Sequence, residues 1–249
     1  SILFAIFLIG NTAGMLLPTG NPPLFLGLLR GVPFTWTLFN LMGPWFLLNG
    51  VALFIYYVAD TLAYAKESTT DLKLDREQIE PLSLHGKLQA IFLGFIVILV
   101  AATGGEEQWK SILRDSGLAL IALMSLVTAN KKIYQANKFS FGPILEVGAL
   151  FFGIFLTLPP AVHLLKANAT SMALGPQGFH WIVAALSAFL DSAPAYVCGF
   201  EVAKMLGGEN LIAGVPAILL TAITIGACVG GVFSYLGNAI NLLLKALAD

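Results

Sequence analysis

The chain has 249 residues, of which 57% are hydrophobic and 11% charged, and its mean hydropathy is +0.84; an average soluble domain carries about 25% charged residues. That composition excludes a soluble globular protein, and a net charge of -1 leaves no basic surface to hold nucleic acid through its phosphates. Ten charged residues are gathered between Asp60 and Lys87, so the apolar stretches elsewhere are nearly free of charge and long enough for bilayer spans, which need roughly 17 to 25 residues each.

The expected fold is all-α, a polytopic membrane protein. Ser1 runs straight into an apolar stretch with no secretory-signal pattern, so the chain is expected to begin inside a membrane segment. Residues 1 to 9 and Leu24 to Leu29 are apolar half-helices on either side of a Gly/Asn/Pro-rich break, Gly10 to Pro23, and together read as one interrupted helix ending at Arg30. A full span comes next at 34 to 58, with Pro44 as a kink and a stop at Asp60. The 60 to 87 stretch alternates charge sign and reads as a solvated connector.

Residues 88 to 103 and 112 to 129 read as two spans joined by the acidic turn Gly104 to Lys110, with Arg114 snorkelling to the interface. Lys131, Lys132 and Lys138 mark the next loop, and Phe141 to Leu165 is a further span closed by Pro159 and Pro160. Two short apolar arms, 180 to 190 and 195 to 206, flank the polar tip Asp191-Ser192-Ala193-Pro194 and read as a re-entrant hairpin. The last apolar segment, 211 to 247, is interrupted from Gly226 to Asn238. Gly10 aligns with Gly226, Gly14 with Gly230 and, after a one-residue gap, Gly20-Asn21 with Gly237-Asn238. Two broken helices that match and cross in opposite directions are the sign of inverted transporter repeats. The division expected is 1–59 as the end of a first repeat, 60–87 as a connector and 88–249 as a second repeat. Eight Lys and Arg residues fall on the connector side against five on the other, which places the connector in the cytoplasm.

Asp191 is the one acid expected squarely at mid-membrane, where an unpaired carboxylate costs roughly 2.5 to 3.5 kcal/mol or more and so faces a cavity or a partner. An Asp that only caps the following arm is the alternative reading, and the two are compatible. Ser192 and Pro194 support the tip. The break Gly10 to Gly14 and the turn Pro18 to Pro23 offer side-chain and freed backbone oxygens suited to a hard cation, while broken helices alone permit either a cation or an anion; the alternative for Asn11 and Asn21 is that they only satisfy the broken backbone. Glu146 either lines the pathway or lies at the interface. His163 and His180 read as solvated or capping, and Glu201 with Lys204 as a local ion pair. Cys198 and Cys228 lie in apolar sequence, and no CxxC or HExxH spacing suggests a metal site or an enzyme.

The run Gly10-Asn11-Thr12-Ala13-Gly14-Met15, continuing through Thr19-Gly20-Asn21-Pro22-Pro23 to Arg30-Gly31-Val32-Pro33-Phe34, resembles sodium:proton antiporters of the NhaD and citrate-transport type. So do Phe139 to Phe155 with Glu146 and the tip Phe189 to Tyr196. The resemblance implies sodium between hairpin tips and helix breaks, with Asn11, Thr12, Gly20 and Asn21 in one repeat and Asp191, Pro194, Gly237 and Asn238 in the other. Ser192 stands where the family has Asn, Gly237-Asn238-Ala239-Ile240-Asn241 stands for Gly-Asn-Gly-Pro-Asn, and the first hairpin would fall before Ser1. The resemblance also implies a secondary transporter of a bacterial inner membrane, exchanging sodium for protons, with lipid around it, no cofactor beyond the ion and a homodimer by analogy. Asp191 and Glu146 are then the proton-coupling groups, and Asn11, Asn21, Asp191 and Asn238 the sodium ligands. A sodium- or proton-coupled citrate or dicarboxylate transporter, or an inactive fragment, is the alternative.

Overall fold

A chain this apolar has to bond its backbone groups to one another, and it does so almost wholly in helices. The computed structural model describes residues 2–67, 86–105, 107–130, 135, 140–168 and 174–248. Helix α1 (Ile2–Ala5) passes into a π-helical turn (Ile6–Thr12) and a 3-10 turn (Ala13–Leu16), and the chain restarts in α2 (Pro22–Leu29). Then come α3 (Phe34–Tyr64), α4 (Lys87–Ala102), α5 (Gln108–Thr128) and α6 (Gly142–Asn168). The helices α7 (Pro176–Leu190) and α8 (Ser192–Leu206) meet at Asp191, and α9 (Ala217–Gly230) is followed by a 3-10 turn (Tyr235–Gly237) and α10 (Ala239–Ala248). Among the described residues, Phe34–Tyr64, Gln108–Thr128 and Ile144–Ala167 are long and apolar enough to cross a bilayer. Their outward side chains, Phe39, Phe46, Phe54, Leu120 and Phe152 among them, are exposed as lipid-facing residues are.

The packed centre is α8, whose Tyr196 and Phe200 are fully buried among α2, α7 and α9. Glycines set how closely these helices approach. A Cβ on Gly226 would stand 2.5 Å from the His180 carbonyl oxygen and one on Gly230 2.2 Å from that of Ala184, so α9 lies backbone-to-backbone on α7 through two small residues four apart. Gly27 makes the same room on α2 for the Tyr196 hydroxyl.

Several boundaries differ from the sequence expectation. The first break is not open from Gly10: the wide π turn lets Asn11 Nδ2 and Thr12 Oγ1 reach the carbonyls of Ile6 and Phe7, five residues back, and only 17–21 is non-helical. In the second, α9 runs through Gly226 to Gly230 because those glycines serve packing rather than helix termination. The first residues of the apolar segment expected over 211 to 247, Leu211 to Pro216, form a hairpin of β1 (Leu211–Ile212) and β2 (Val215–Pro216) ahead of α9 instead of a helix. Positive φ at Ala213 and Gly214 (51° and 81°) gives the turn twist that two-residue hairpins need. The arms of the helical hairpin are 15 residues each, roughly 22 Å at 1.5 Å per residue, longer than expected because Pro176 starts the first and Asp191 caps the second.

Helix α3 continues past Asp60 to Tyr64, since nothing in Asp60-Thr61-Leu62 breaks a helix and Thr61 bonds the Tyr57 carbonyl. Pro159 and Pro160 do not close α6, which runs through both to Asn168; a spanning helix tolerates proline where its freed carbonyls find other donors. Helix α5 begins at Gln108, inside the expected acidic turn. Arg114 does not snorkel: it is 4% exposed, with Nη1 on the Thr103 carbonyl and Nε on Asp115, a cation at the C-terminal end of α4. Residues 68–85 of the connector, and Lys131, Lys132 and Lys138, lie outside the described residues.

Candidate ion-binding site

The two breaks share one backbone. Gly20 donates its N–H to the Leu17 carbonyl and Gly237 to that of Ser234; Leu24 donates to Asn21 and Asn241 to Asn238. Asn21 (φ -153°, ψ 136°) and Asn238 (φ -157°, ψ 130°) are both extended residues ahead of a restarting helix. A Cβ on Gly20 would lie 2.5 Å from the Gly14 carbonyl oxygen, and one on Gly237 2.7 Å from that of Gly231. Each of these pairs is 217 residues apart, so Gly14 corresponds to Gly231, and the gap in the sequence alignment falls before it rather than after.

Between the breaks lies a cluster of four buried asparagines, each at most 2% exposed: Asn11, Asn21, Asn238 and Asn241. Asn238 Nδ2 is 2.9 Å from Asn11 Oδ1 and 3.3 Å from both Asn21 Oδ1 and the Gly10 carbonyl oxygen. Asn11 Nδ2 donates to Asn241 Oδ1 at 2.8 Å, and Asn241 Nδ2 to the carbonyls of Gly231 and Ser234. Asn21 Nδ2 meets the Asn11 carbonyl at 3.1 Å and Cys228 Sγ at 3.6 Å. From α3, Asn49 Nδ2 lies 3.5 Å from the Thr12 carbonyl, Trp45 Nε1 donates to Ala13 and Thr37 Oγ1 to Leu16.

Asp191 reaches this cluster from the hairpin tip. Its φ of 81° with ψ of 146° is close to a region that only glycine visits freely, a strain of roughly 1 to 3 kcal/mol that the surroundings must hold. The carboxylate is 2% exposed. Oδ1 accepts the Ala193 N–H at 2.9 Å and faces Ser192 Oγ at 3.4 Å, while Oδ2 accepts the Ala239 N–H at 3.2 Å. It therefore caps α8 and bridges to the first residue of α10, lying between two helix N-termini whose positive ends favour an anion. Capping, the bland alternative, is present, and each carboxylate oxygen keeps acceptor capacity beyond it.

The family model described as "Putative citrate transport" matches residues 1–249. The chain belongs to this family. No curated protein and no solved structure matches it. With its apolar helices, membership makes this an integral membrane protein with a transport role rather than an enzymatic one.

The structure brings Asn11, Thr12, Gly20, Asn21, Asp191, Ser192, Gly237 and Asn238 to one place in this citrate-transport family chain. Pro194, also buried, lies in the first turn of α8, where a missing N–H does no harm. Glu146 is exposed on α6 and joins none of these contacts. Glu201 pairs with Lys166 (2.6 Å) and Arg30 (3.3 Å) rather than with Lys204. His180 Nδ1 faces the Ala222 carbonyl, and His163 is exposed. Beside the first break is a cavity of about 560 Å³, polar at Thr19, Gly20 and Asn21 and apolar where Phe25, Val100, Phe151 and Phe155 line it. Sequence reasoning missed Asn49, a polar residue at the middle of an apolar span, and named Asn241 only as part of a departure from the family pattern.

Proposed function

We propose that the chain is a sodium:proton antiporter of the citrate-transport family that binds the cation among Asp191, the asparagine cluster and the freed carbonyls of the first break. The observation that carries this reading is where the restarting helices send their N–H groups. Pro22 and Pro23 have none, and Leu24 and Phe25 donate to the Asn21 carbonyl; Ala239, Ile240 and Asn241 donate to Asp191, the Asn238 side chain and the Asn238 carbonyl. Neither restart has an N–H in its first turn left for an incoming anion, although helix N-termini are the usual anion sites. The one full charge beside the cluster is the Asp191 carboxylate, bonded to the residue that follows Asn238, and the oxygens of the cluster itself are amides and carbonyls. Such oxygens suit a hard cation. A proton and a sodium ion compete for the single negative charge of Asp191, and alternating exposure of a site that must hold one or the other gives exchange.

The same reading takes α7 and α8 as a re-entrant hairpin and the two breaks as inverted repeats in a bacterial inner membrane, with the connector cytoplasmic. The shared backbone of the breaks supports it. A second reading, sodium-coupled citrate transport, is favoured by the family's description and by the cavity beside Thr19 to Asn21, which has room for a small carboxylate. Purified protein in liposomes with an internal pH dye separates the two. Sodium-driven proton movement without citrate supports antiport; labelled citrate uptake that requires sodium, with no proton movement in its absence, replaces it by the second reading.

A further inference from the structure

Three successive carbonyls at the first break, those of Gly10, Asn11 and Thr12, are each met by an asparagine side-chain amide: Asn238 at 3.3 Å, Asn21 at 3.1 Å and Asn49 at 3.5 Å. The first two belong to the breaks. The third comes from α3, is 5% exposed, and is tied into its own helix by a 2.8 Å bond from Nδ2 to the Trp45 carbonyl. Asn49 also touches the Thr12 side chain. Thr12 Oγ1 lies 2.8 Å from Asn49 Oδ1 and 3.0 Å from the Phe7 carbonyl, with a single proton to give. When that proton goes to Asn49, the hydroxyl is oriented from outside the break and keeps its lone pairs to accept or to ligate.

We propose that Asn49 is a positioning residue of the cation site, setting the Thr12 hydroxyl and the curvature of the π turn without itself touching the ion. The inference rests on the cation reading for what the site binds, and on hydrogen bonding alone for what Asn49 does. Trp45 and Thr37 extend the same stripe of α3, their donors meeting Ala13 and Leu16. The stripe joins the first break to α3 as one body, and Asn49 is the member of it nearest the asparagine cluster.

The test uses the whole chain in liposomes and compares wild type with Asn49→Ala, the milder Asn49→Ser, Thr12→Val, the Asn49→Ala/Thr12→Val double variant and Asn40→Ala. Asn40 bonds the Trp36 carbonyl of its own helix and serves as control. Asn49→Ala should raise the half-saturating sodium concentration about five-fold or more with the maximal rate within two-fold, Asn49→Ser less, and the double variant no more than Thr12→Val alone, since residues acting through one contact are not additive. A lowered maximal rate with unchanged half-saturation, or fully additive effects, would reduce Asn49 to a structural residue and overturn the proposal. Amide exchange of residues 10–16 in sodium-free detergent is measured in parallel. If the wild type moves no protons with sodium, the cation reading falls and the role at a cation site falls with it, and exchange then decides only the hydrogen-bonding part: faster in Asn49→Ala than in Asn40→Ala shows that Asn49 holds the π turn, equal in both overturns that as well.

Discussion

In the first break the carbonyls of Thr12, Ala13 and Leu16 are bonded from α3, a separate long helix, and α2 restarts on two prolines with no N–H to place. In the second, the Ala227 carbonyl is bonded by Ser187 of the hairpin, Ser234 donates back to the Ala188 carbonyl, and Asn241 of the restarting helix takes the carbonyls of Gly231 and Ser234. The N–H that proline removes from the first restart is given to Asp191 in the second. One backbone is thus satisfied in two ways. The difference teaches that the one charge of the candidate site belongs to the second break and its hairpin, while the first break presents neutral oxygens held from outside.

The largest effect expected is at that charge. Asp191→Asn keeps the size of the side chain and an acceptor for one of the two N–H groups, Ala193 or Ala239, but loses the negative charge, so sodium-driven proton movement in everted vesicles should fall to background with the protein still inserted. A wild-type dye response would mean that the two breaks do not differ in the way described. Next comes the packing of the breaks. Gly230 corresponds to Ala13, which is exposed, whereas a Cβ on Gly230 would stand 2.2 Å from the Ala184 carbonyl oxygen. Gly230→Ala should lower stability by roughly 1 to 3 kcal/mol, the usual cost of overpacking, and Ala13→Ser should leave thermal unfolding in detergent almost unchanged. Equal melting temperatures for the two variants would remove this asymmetry.

The smallest effect concerns the cations that end each broken helix. Arg30 is paired with Glu201, whereas Lys245 stands over the Tyr235 ring at 5.1 Å. Glu201 is partly exposed to solvent at a cluster it shares with Lys166. Glu201→Gln should therefore cost only about 1 kcal/mol, and Lys245→Gln about 0.5 kcal/mol, in line with partly exposed pairs and cation–π contacts. If Lys245→Gln were the more damaging in thermal unfolding, the order of anchoring at the two ends would be reversed.

How far these features could be read from sequence depends on the range of the interaction. Spans are written in local composition, so α3 to α6 were legible to within a few residues. The tip was legible because an acid beside a proline in an apolar run marks a helix break and a buried charge at once. Glu201 was not, since its partners lie 171 residues back on α2 and 35 back on α6, while Lys204, three residues on, looked the better match. Asn49 was missed for a related reason: one sequence does not say which face of a long apolar helix turns toward a break 37 residues earlier. The Gly226 and Gly230 pair was misread because glycine signals both helix ends and close helix contacts, and only the neighbouring α7 backbone decides between them.

The segment joining α8 to α9 is a mechanical link of small reach. Gly207, Gly208, Asn210, Ala213 and Gly214 all have positive φ, folding the path tightly. The Ala217 N–H closes it on the Asn210 carbonyl, and the Lys204 stem lies against Gly214. A pull on the end of the helical hairpin is passed directly to α9, and from α9 through the seam with α7 back to the hairpin itself. The path closes on itself, so the tip carrying Asp191 and the second break are joined both along the chain and through the close seam of α7 and α9.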